Sequence, residues 1–434
     1  MRYSRVLLVL ALLALAGSPA LAQGPAVCFA PDTPAAHAEE VTRAVQNHWL
    51  SLAAEGPEQF QLTSRWTSTA TDGGGLVQGD PITLTWSYIP DGTAMPCQLC
   101  PDIGESNAPS NLFAWLNGIY GNFATWHALF VQIFDRWSDL TGIQYVYQPT
   151  DDGATMFNTD GAIGVRGDLR IGAHLIDGNS NVLAYNFFPS NGDMVIDSGD
   201  NFFNNTSSNS LGFRNVLAHE HGHGLGLRHV CPVSQTKLME PFVSFAFDGP
   251  QHDDILGANR HYGDRFEDND TFGTATSLGA IEITPASLAN VSVDDETDLN
   301  FYSFTVTGPT AVDVSVNPTG STYLQAAQNS NGSCPAGTSF NSLAQSDLAL
   351  AVLGTNGTTV LDSANDNVAG SGESISGLSL PGAGTYFVRV GGSTLNAVQL
   401  YSLSAATSEI IFADGFETGT VLLWTLCEGN GCPP

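Results

Sequence analysis

The chain has 434 residues, with 43 Asp and Glu against 13 Lys and Arg, for a formal net charge of −30. So acidic a surface repels a phosphate backbone, which excludes nucleic acid as a partner. The length suffices for two or three domains with separate cores. Arg2 and Arg5 precede an apolar run from Val6 to Ala16, and Ala20-Leu21-Ala22 supplies small residues at the expected cleavage positions. Residues 1–22 therefore read as a secretory signal peptide, whose apolar run is too short to span a bilayer. With no later transmembrane segment in the sequence, the expectation is a soluble, secreted, extracellular protein.

Residues 23–79 form a mixed region of unclear role, to which the sequence assigns no chemistry. Val41, Val45, Trp49 and Leu52 give Glu39 to Ala54 a helical spacing, and Asp72 to Gly75 reads as a linker. Ile82, Leu84, Trp86 and Tyr88 alternate through Pro81 to Ile89, predicting a half-buried strand that Pro90-Asp91-Gly92 turns. From Ala124 to Leu140, Trp126, Leu129, Phe130, Ile133, Phe134, Trp137 and Leu140 recur every three or four positions. That spacing predicts a long amphipathic helix packed on a sheet. Gly142 ends it, Ile143, Tyr145 and Tyr147 begin a strand, and Gly164 to Ile171, Val182 to Phe188 and Met194 to Ile196 supply further strands.

The sharpest signal is His219-Glu220-His221-Gly222-His223-Gly224-Leu225-Gly226-Leu227-Arg228-His229. On a helix, His219 and His223 project from one face, one turn apart, close enough to share a zinc ion. Glu220 lies about 100° further round, placed for a base acting on metal-bound water. Gly226 can take the left-handed conformation that ends a helix and returns His229 as third ligand. Three ligands leave a fourth position open, as in a catalytic zinc site. Ten residues beyond His229 stands Met239, within Leu238-Met239-Glu240-Pro241. The His219-Glu220-x-x-His223-x-x-Gly226-x-x-His229 pattern followed by Met239 resembles the metzincin metallopeptidases, and Leu-Met-x-Pro points to their matrixin branch.

The resemblance implies an α+β metzincin catalytic domain over residues 80–264, a mixed twisted sheet with long helices, closed by a helix from Asp253 to Tyr262-Gly263. It runs through Gly167 to Ile171, Asp177-Gly178, Leu183-Ala184-Tyr185 and Gly192 to Asp197. Carried over residue by residue, Asp177, Asp197 and Asp200 match one calcium site and Asp168 and Asp193 another; ordinary turn aspartates are the alternative. Tyr185 and Val195 stand where the family places histidines of a second zinc, and His174 alone does not replace them. Leu183, Ala184 and Tyr185 belong to the expected edge strand, on which a protein or peptide substrate would pair antiparallel. Leu217 and Pro241 are expected to shape the pocket beyond the scissile bond, with Met239 as an apolar floor beneath the ligands. The implied activity is that of a secreted zinc endopeptidase in which Glu220 activates the zinc-bound water. The alternatives are an exported binding or adhesive protein with a vestigial zinc domain, or a metallopeptidase restricted to one partner or to cell-wall peptides.

Seven cysteines in an exported chain make disulfides plausible. Cys97 with Cys100 and Cys427 with Cys432 are the close pairs, and the odd number leaves one over. Cys28-Phe29-Ala30-Pro31-Asp32 faintly resembles the cysteine switch of matrixin pro-segments, in which a thiolate fills the open zinc position. The preceding Arg and a pro-domain are missing, so the expectation is that Cys28 is a disulfide partner. From residue 265 to 407 short alternating runs separated by Gly- or Asn-bearing turns predict an all-β sandwich. Glu267 to Thr271, Asp298 to Tyr302 and Gly382 to Val388 resemble the bacterial pre-peptidase C-terminal domain. Asp294, Asp295 and Asp298 read as a solvated acidic loop or a further calcium site. Residues 408–434 form a C-terminal tail, in which Ile410 to Pro434 resembles short terminal tails of exported proteins in some Gram-negative bacteria.

Overall fold

A computed structural model describes residues 25–49, 61–100, 103–157, 159–394 and 396–408. The signal-peptide reading, the C-terminal tail with Cys427 and Cys432, and the end of the helix expected over Glu39 to Ala54 lie outside the described residues. Among the described residues no helix is long and apolar enough to cross a membrane.

The N-terminal domain is built on a six-stranded sheet of β1 (Ala26–Phe29), β2 (Ile82–Tyr88), β3 (Ile143–Tyr147), β4 (Leu169–His174), β5 (Val182–Asn186) and β6 (Met194–Asp197), in the order β1-β5-β6-β4-β2-β3. β3, β2, β4 and β6 run parallel, while β5 is antiparallel to both of its neighbours. Parallel interior strands are covered on both faces, so β2 is buried along nearly its whole length rather than half-buried as its alternation predicts. The strand expected from Gly164 begins only at Leu169. Ahead of it, the Arg166 and Val165 amides donate to Ala162 O and close a turn.

One face of the sheet carries α2 (Leu112–Tyr120), α3 (Phe123–Ser138) and α4 (Ser207–Gly224). The Asn122 side chain caps α3 by accepting from the Thr125 amide. Six of the seven apolar residues that predicted this helix lie on its buried face, and the seventh, Leu140, is buried just beyond its end. Trp86 and Phe134 meet with ring centroids 4.6 Å apart, and Tyr88 and Trp126 at 4.9 Å, so aromatic rings knit strand to helix. Trp137 Nε1 donates to Ala218 O, fastening α3 to α4. The opposite face is covered by α1 (Ala35–Trp49), whose Val41 and Val45 share a core with Val27, Phe29, Tyr185 and Val195. The domain closes with α5 (His252–Tyr262).

Nine strands beyond α5 make two stacked sheets, of five strands and of four, around a core that includes Tyr302, Phe304, Val314, Val352, Val388 and Leu403. The all-β sandwich expected after residue 264 is therefore present. A further hairpin, Thr322–Ala327 with Thr338–Asn341, leaves the sandwich and pairs antiparallel with Val230–Cys231 of the N-terminal domain. Val398 and Leu400 also join the N-terminal core, so the two units share packed contacts.

One expectation is corrected here. The β5 strand carrying Leu183, Ala184 and Tyr185 is not an edge, because β1 pairs with it antiparallel on the outside, with Cys28 opposite Ala184 and Val27 opposite Tyr185. A region that reads as chemically silent thus supplies the outermost strand.

Candidate metal centre

α4 carries His219, Glu220 and His223 in its last turns, all buried. At Gly226 (φ +94°) the chain leaves the helix in a left-handed conformation, where a Cβ would also collide with Ser64 O. The Leu227 amide donates to Gly222 O and closes the turn, and the chain comes back with His229 beside the other two rings.

Nε2 of His219 lies 3.0 Å from Nε2 of His223 and 3.2 Å from Nε2 of His229. The opposite nitrogens settle what this means. His219 Nδ1 faces Leu238 O at 2.7 Å and His223 Nδ1 faces Leu227 O at 2.7 Å. A carbonyl only accepts, so each Nδ1 carries the proton and each Nε2 presents a bare lone pair. His229 Nδ1 meets Oε1 of Gln328 at 2.9 Å, with the same result. Three lone pairs aimed at one another in a buried space repel unless a cation lies between them, and a tetrahedral zinc would hold its nitrogens about 3.3 Å apart. The donor set fits zinc. Burial, with the neighbouring ring adding to it, holds His219 down to about 3, and burial holds His229 down to about 4, so both stay neutral and able to ligate.

Glu220 is fully buried, and neither of its oxygens completes a hydrogen bond. Burial pushes its carboxyl well above the usual range, against a smaller lowering by the Cys28 amide. Met239 lies under the triad, since a Cβ on Gly222 would collide with Met239 Sδ. The Asp254 carboxylate holds that turn by accepting from the Leu238 and Met239 amides at 2.8 and 3.0 Å, and the Val230 amide donates to Met239 O.

Cys28 faces this centre from β1. Its sulfur, a His219 nitrogen and a Glu220 oxygen all lie within 4.8 Å of one another. The expectation that Cys28 is a disulfide partner is overturned: it is buried and free, while Cys97 pairs with Cys100 and Cys231 with Cys334. The reason is that pairing with β5 sets Cys28 against His219 and Glu220. Burial, then Glu220, raises its thiol well above the ordinary value. On its other side β1 is held by the segment after Met239, with the Phe29 amide donating to Pro241 O and the Val243 amide to Phe29 O, both at 3.2 Å. Leu183, Ala184 and Leu217 are buried in the main core, whereas Tyr185 points to the opposite face of the sheet.

The remaining candidates divide. Asp177, Asp197 and Asp200 come together in one pair of loops, where Asp197 accepts from the Asp177, Gly178 and Gly199 amides and Asp200 from the Ser180 and Phe202 amides. Asp168 and Asp193 turn to different partners. Asp168 accepts from the Ala70 and Thr85 amides and from Thr85 Oγ1, and Asp193 from the Arg170 and Phe157 amides, so both brace backbone. Tyr185 and Val195 are cross-strand partners. Tyr185 OH and His174 Nε2 both meet Oε1 of Glu105, at 2.8 and 2.6 Å. Sequence reasoning missed Glu105, Asp254 and Gln328; only Asp254, an acid in the first turn of α5, carries a local signal.

Residues 122–263 match the matrixin family model. The chain is 37% identical over 106 residues to the hatching enzyme of Paracentrotus lividus, covering 23% of this chain and 16% of that protein. It is also similar to a solved pre-peptidase C-terminal domain of a collagenase from Bacillus anthracis, at 15% identity and a TM-score of 0.19 over 30% of this chain and 93% of that one. A periplasmic inhibitor of g-type lysozyme from Aeromonas hydrophila aligns at 12% identity and a TM-score of 0.18, over 31% of this chain and 97% of that one. The match to the matrixin model covers the part of the N-terminal unit that carries the three histidines on and after α4 and the methionine turn beneath them.

Proposed function

We propose that the protein is a zinc endopeptidase, exported and folded with its own N-terminal strand in the cleft. The observation that carries the reading is the convergence of three neutral, proton-fixed imidazoles next to a buried carboxylate with no completed hydrogen bond. His219, His223 and His229 would hold the ion, and zinc supplies Lewis acidity that polarises a carbonyl and acidifies water. Glu220 then takes the proton of the attacking water and delivers it to the leaving amine. Burial raises its pKa, which suits it to hold the proton it takes and pass it on to the leaving amine.

β1 indicates what the cleft accepts. An extended chain antiparallel to β5 finds main-chain partners on one side and Pro241 O and the Val243 amide on the other. A substrate bound this way is read largely through its backbone. That geometry supports protein substrates bound as extended segments, for which β1 would yield its place first. Structural calcium belongs to the same proposal at Asp177, Asp197 and Asp200. It is supported by the buried Asp177 Oδ1 that lacks a partner, and by burial, then Asp197 and Asp200, raising Asp177 to about 7. Export is supported by the N-terminal sequence and by the two disulfides.

The test is Glu220→Gln in the exported chain, assayed on an unfolded protein substrate with zinc content measured in parallel. Hydrolysis should disappear while bound zinc is retained. Cleavage at the wild-type rate would refute the assignment of Glu220, and absence of zinc from the wild type would refute the metal centre.

A further inference from the structure

Two of the three imidazoles are oriented from within their own domain, by Leu238 O and Leu227 O. The third is not. His229 Nδ1 is met by the side chain of Gln328, which follows the first strand of the sandwich's hairpin and lies 99 positions away. The amide cannot be reversed without loss, because Gln328 Nε2 donates to Gly332 O at 2.8 Å. That bond leaves Oε1 toward the histidine, which must therefore donate.

The hairpin is fastened on both sides of the metal centre. On the His229 side, Val230 pairs with Ala327 and Cys231 with Ala326, and the Cys231–Cys334 disulfide closes the loop that contains Gln328. On the Met239 side, Tyr323 OH and Gln325 Nε2 both donate to Asp253 Oδ1, at 2.6 and 2.7 Å. Asp253 is adjacent to Asp254, the residue that holds the Leu238 and Met239 amides. The hairpin thus touches the supports of the third ligand and of the floor, without touching the ion's position itself.

We propose that Gln328 is a positioning residue for His229, and that the sandwich is for this reason a working part of the metal centre rather than an appended module. A hydrogen bond from the far ring nitrogen fixes both tautomer and ring orientation, and removing such a partner typically weakens metal binding about 10–100-fold. With the bond made, Nε2 of His229 points at the other two rings. Without it, the imidazole can rotate or shift its proton to Nε2, and the donor set drops from three to two. The proposal rests on the zinc peptidase reading.

The experiment measures zinc affinity of the full chain by competition with a chromophoric chelator, together with the visible spectrum of the cobalt-loaded protein, for wild type, Gln328→Ala, Gln328→Leu and Gln328→Glu. Gln328→Ala and Gln328→Leu should each lose about 10–100-fold in affinity and show an altered cobalt spectrum. Gln328→Glu keeps the acceptor but gives up the bond to Gly332 O, so it separates the two roles of the side chain. It should restore zinc affinity to within about threefold of wild type if accepting from His229 is what matters. At limiting zinc, kcat should fall in the Ala and Leu variants while KM for a peptide stays put. Wild-type affinity in both apolar variants would overturn the proposal, and so would a Glu variant as weak as they are. Should Gln328→Ala fail to fold, the Leu and Glu pair carries the same comparison. Failure of the wild type to bind zinc would instead remove the peptidase reading beneath it.

Discussion

Cys28 and Glu220 sit on facing elements, with a His219 nitrogen within reach of both. A thiol there has no aqueous outlet and no disulfide partner, and its burial disfavours the thiolate unless a cation is present. A coordinating metal deprotonates a thiol outright. Cobalt loaded into the intact chain should therefore give a thiolate-to-metal charge-transfer band in the near ultraviolet that Cys28→Ser lacks; identical spectra would remove Cys28 from the coordination sphere. Gly222 offers a second test. A methyl group there would have to displace Met239 Sδ, the end of a flexible but buried side chain, and overpacking of this kind costs up to about 1–3 kcal/mol. Gly222→Ala should lower the urea midpoint accordingly, and an unchanged midpoint would mean that the floor is softer than its packing implies. The three histidines, Glu220 and Met239 were legible because their geometry is local: helical spacing, one turn, one return. Glu105 and Gln328 were not, since each meets its partner by packing across 69 and 99 positions and no short pattern encodes that, while Cys28 was signalled only by a faint likeness to a cysteine switch that the missing Arg and pro-domain outweighed.

Among the elements, those that bury one long stripe were readable. α3 announces itself through seven apolar residues at helical spacing, and β2 through alternation, although its parallel neighbours bury both faces. α2 escaped, although Leu112 and Leu116 stand one turn apart and are its fully buried residues. β1 is four residues long, too short to show a period. On the proposed reading, β1 competes with a substrate strand for the backbone partners of β5 and so governs access to the metal centre. Deleting residues 23–33 should raise kcat/KM on a fluorogenic peptide at least about tenfold relative to the intact chain, a change of about 1.4 kcal/mol. It should also lower thermal stability, since Val27 and Phe29 are buried and each such side chain contributes about 1.5–3 kcal/mol. A deletion that loses stability without gaining turnover would make β1 a structural strand and nothing more.

At the scale of the whole molecule, the two units meet across a patch rich in carboxylates. Oxygens of Glu267, Asp270 and Asp298 cluster within 4.8 Å, and Asp294 lies beside Gly79 and near Arg260. The loop holding Asp294, Asp295 and Asp298 is thus only partly solvated, and Asp294 itself is buried. The sequence could not show this, because the N-terminal domain supplies the cover. Burial first, then Asp295, raises Asp294 to about 7, with Arg260 opposing. Its unfolded value is about 3.9. Between the two, the folded chain keeps a proton that the unfolded chain has lost, so this group's contribution to stability is fully present below about pH 4 and is lost as pH rises through about 7. The buried histidines run the other way, since His219 and His229 are held at about 3 and 4 and disfavour folding in acid. A difference between variants isolates the carboxyl from them. With metal removed by chelator, the melting temperature of Asp294→Asn minus that of wild type should increase steadily from pH 4.5 to pH 7.5, because Asn cannot acquire the charge that Asp294 is forced to carry. A difference that stays flat, or shrinks, over that interval would show that the junction accommodates the ionised carboxylate, and that burial at this patch does not set the pH response of the fold.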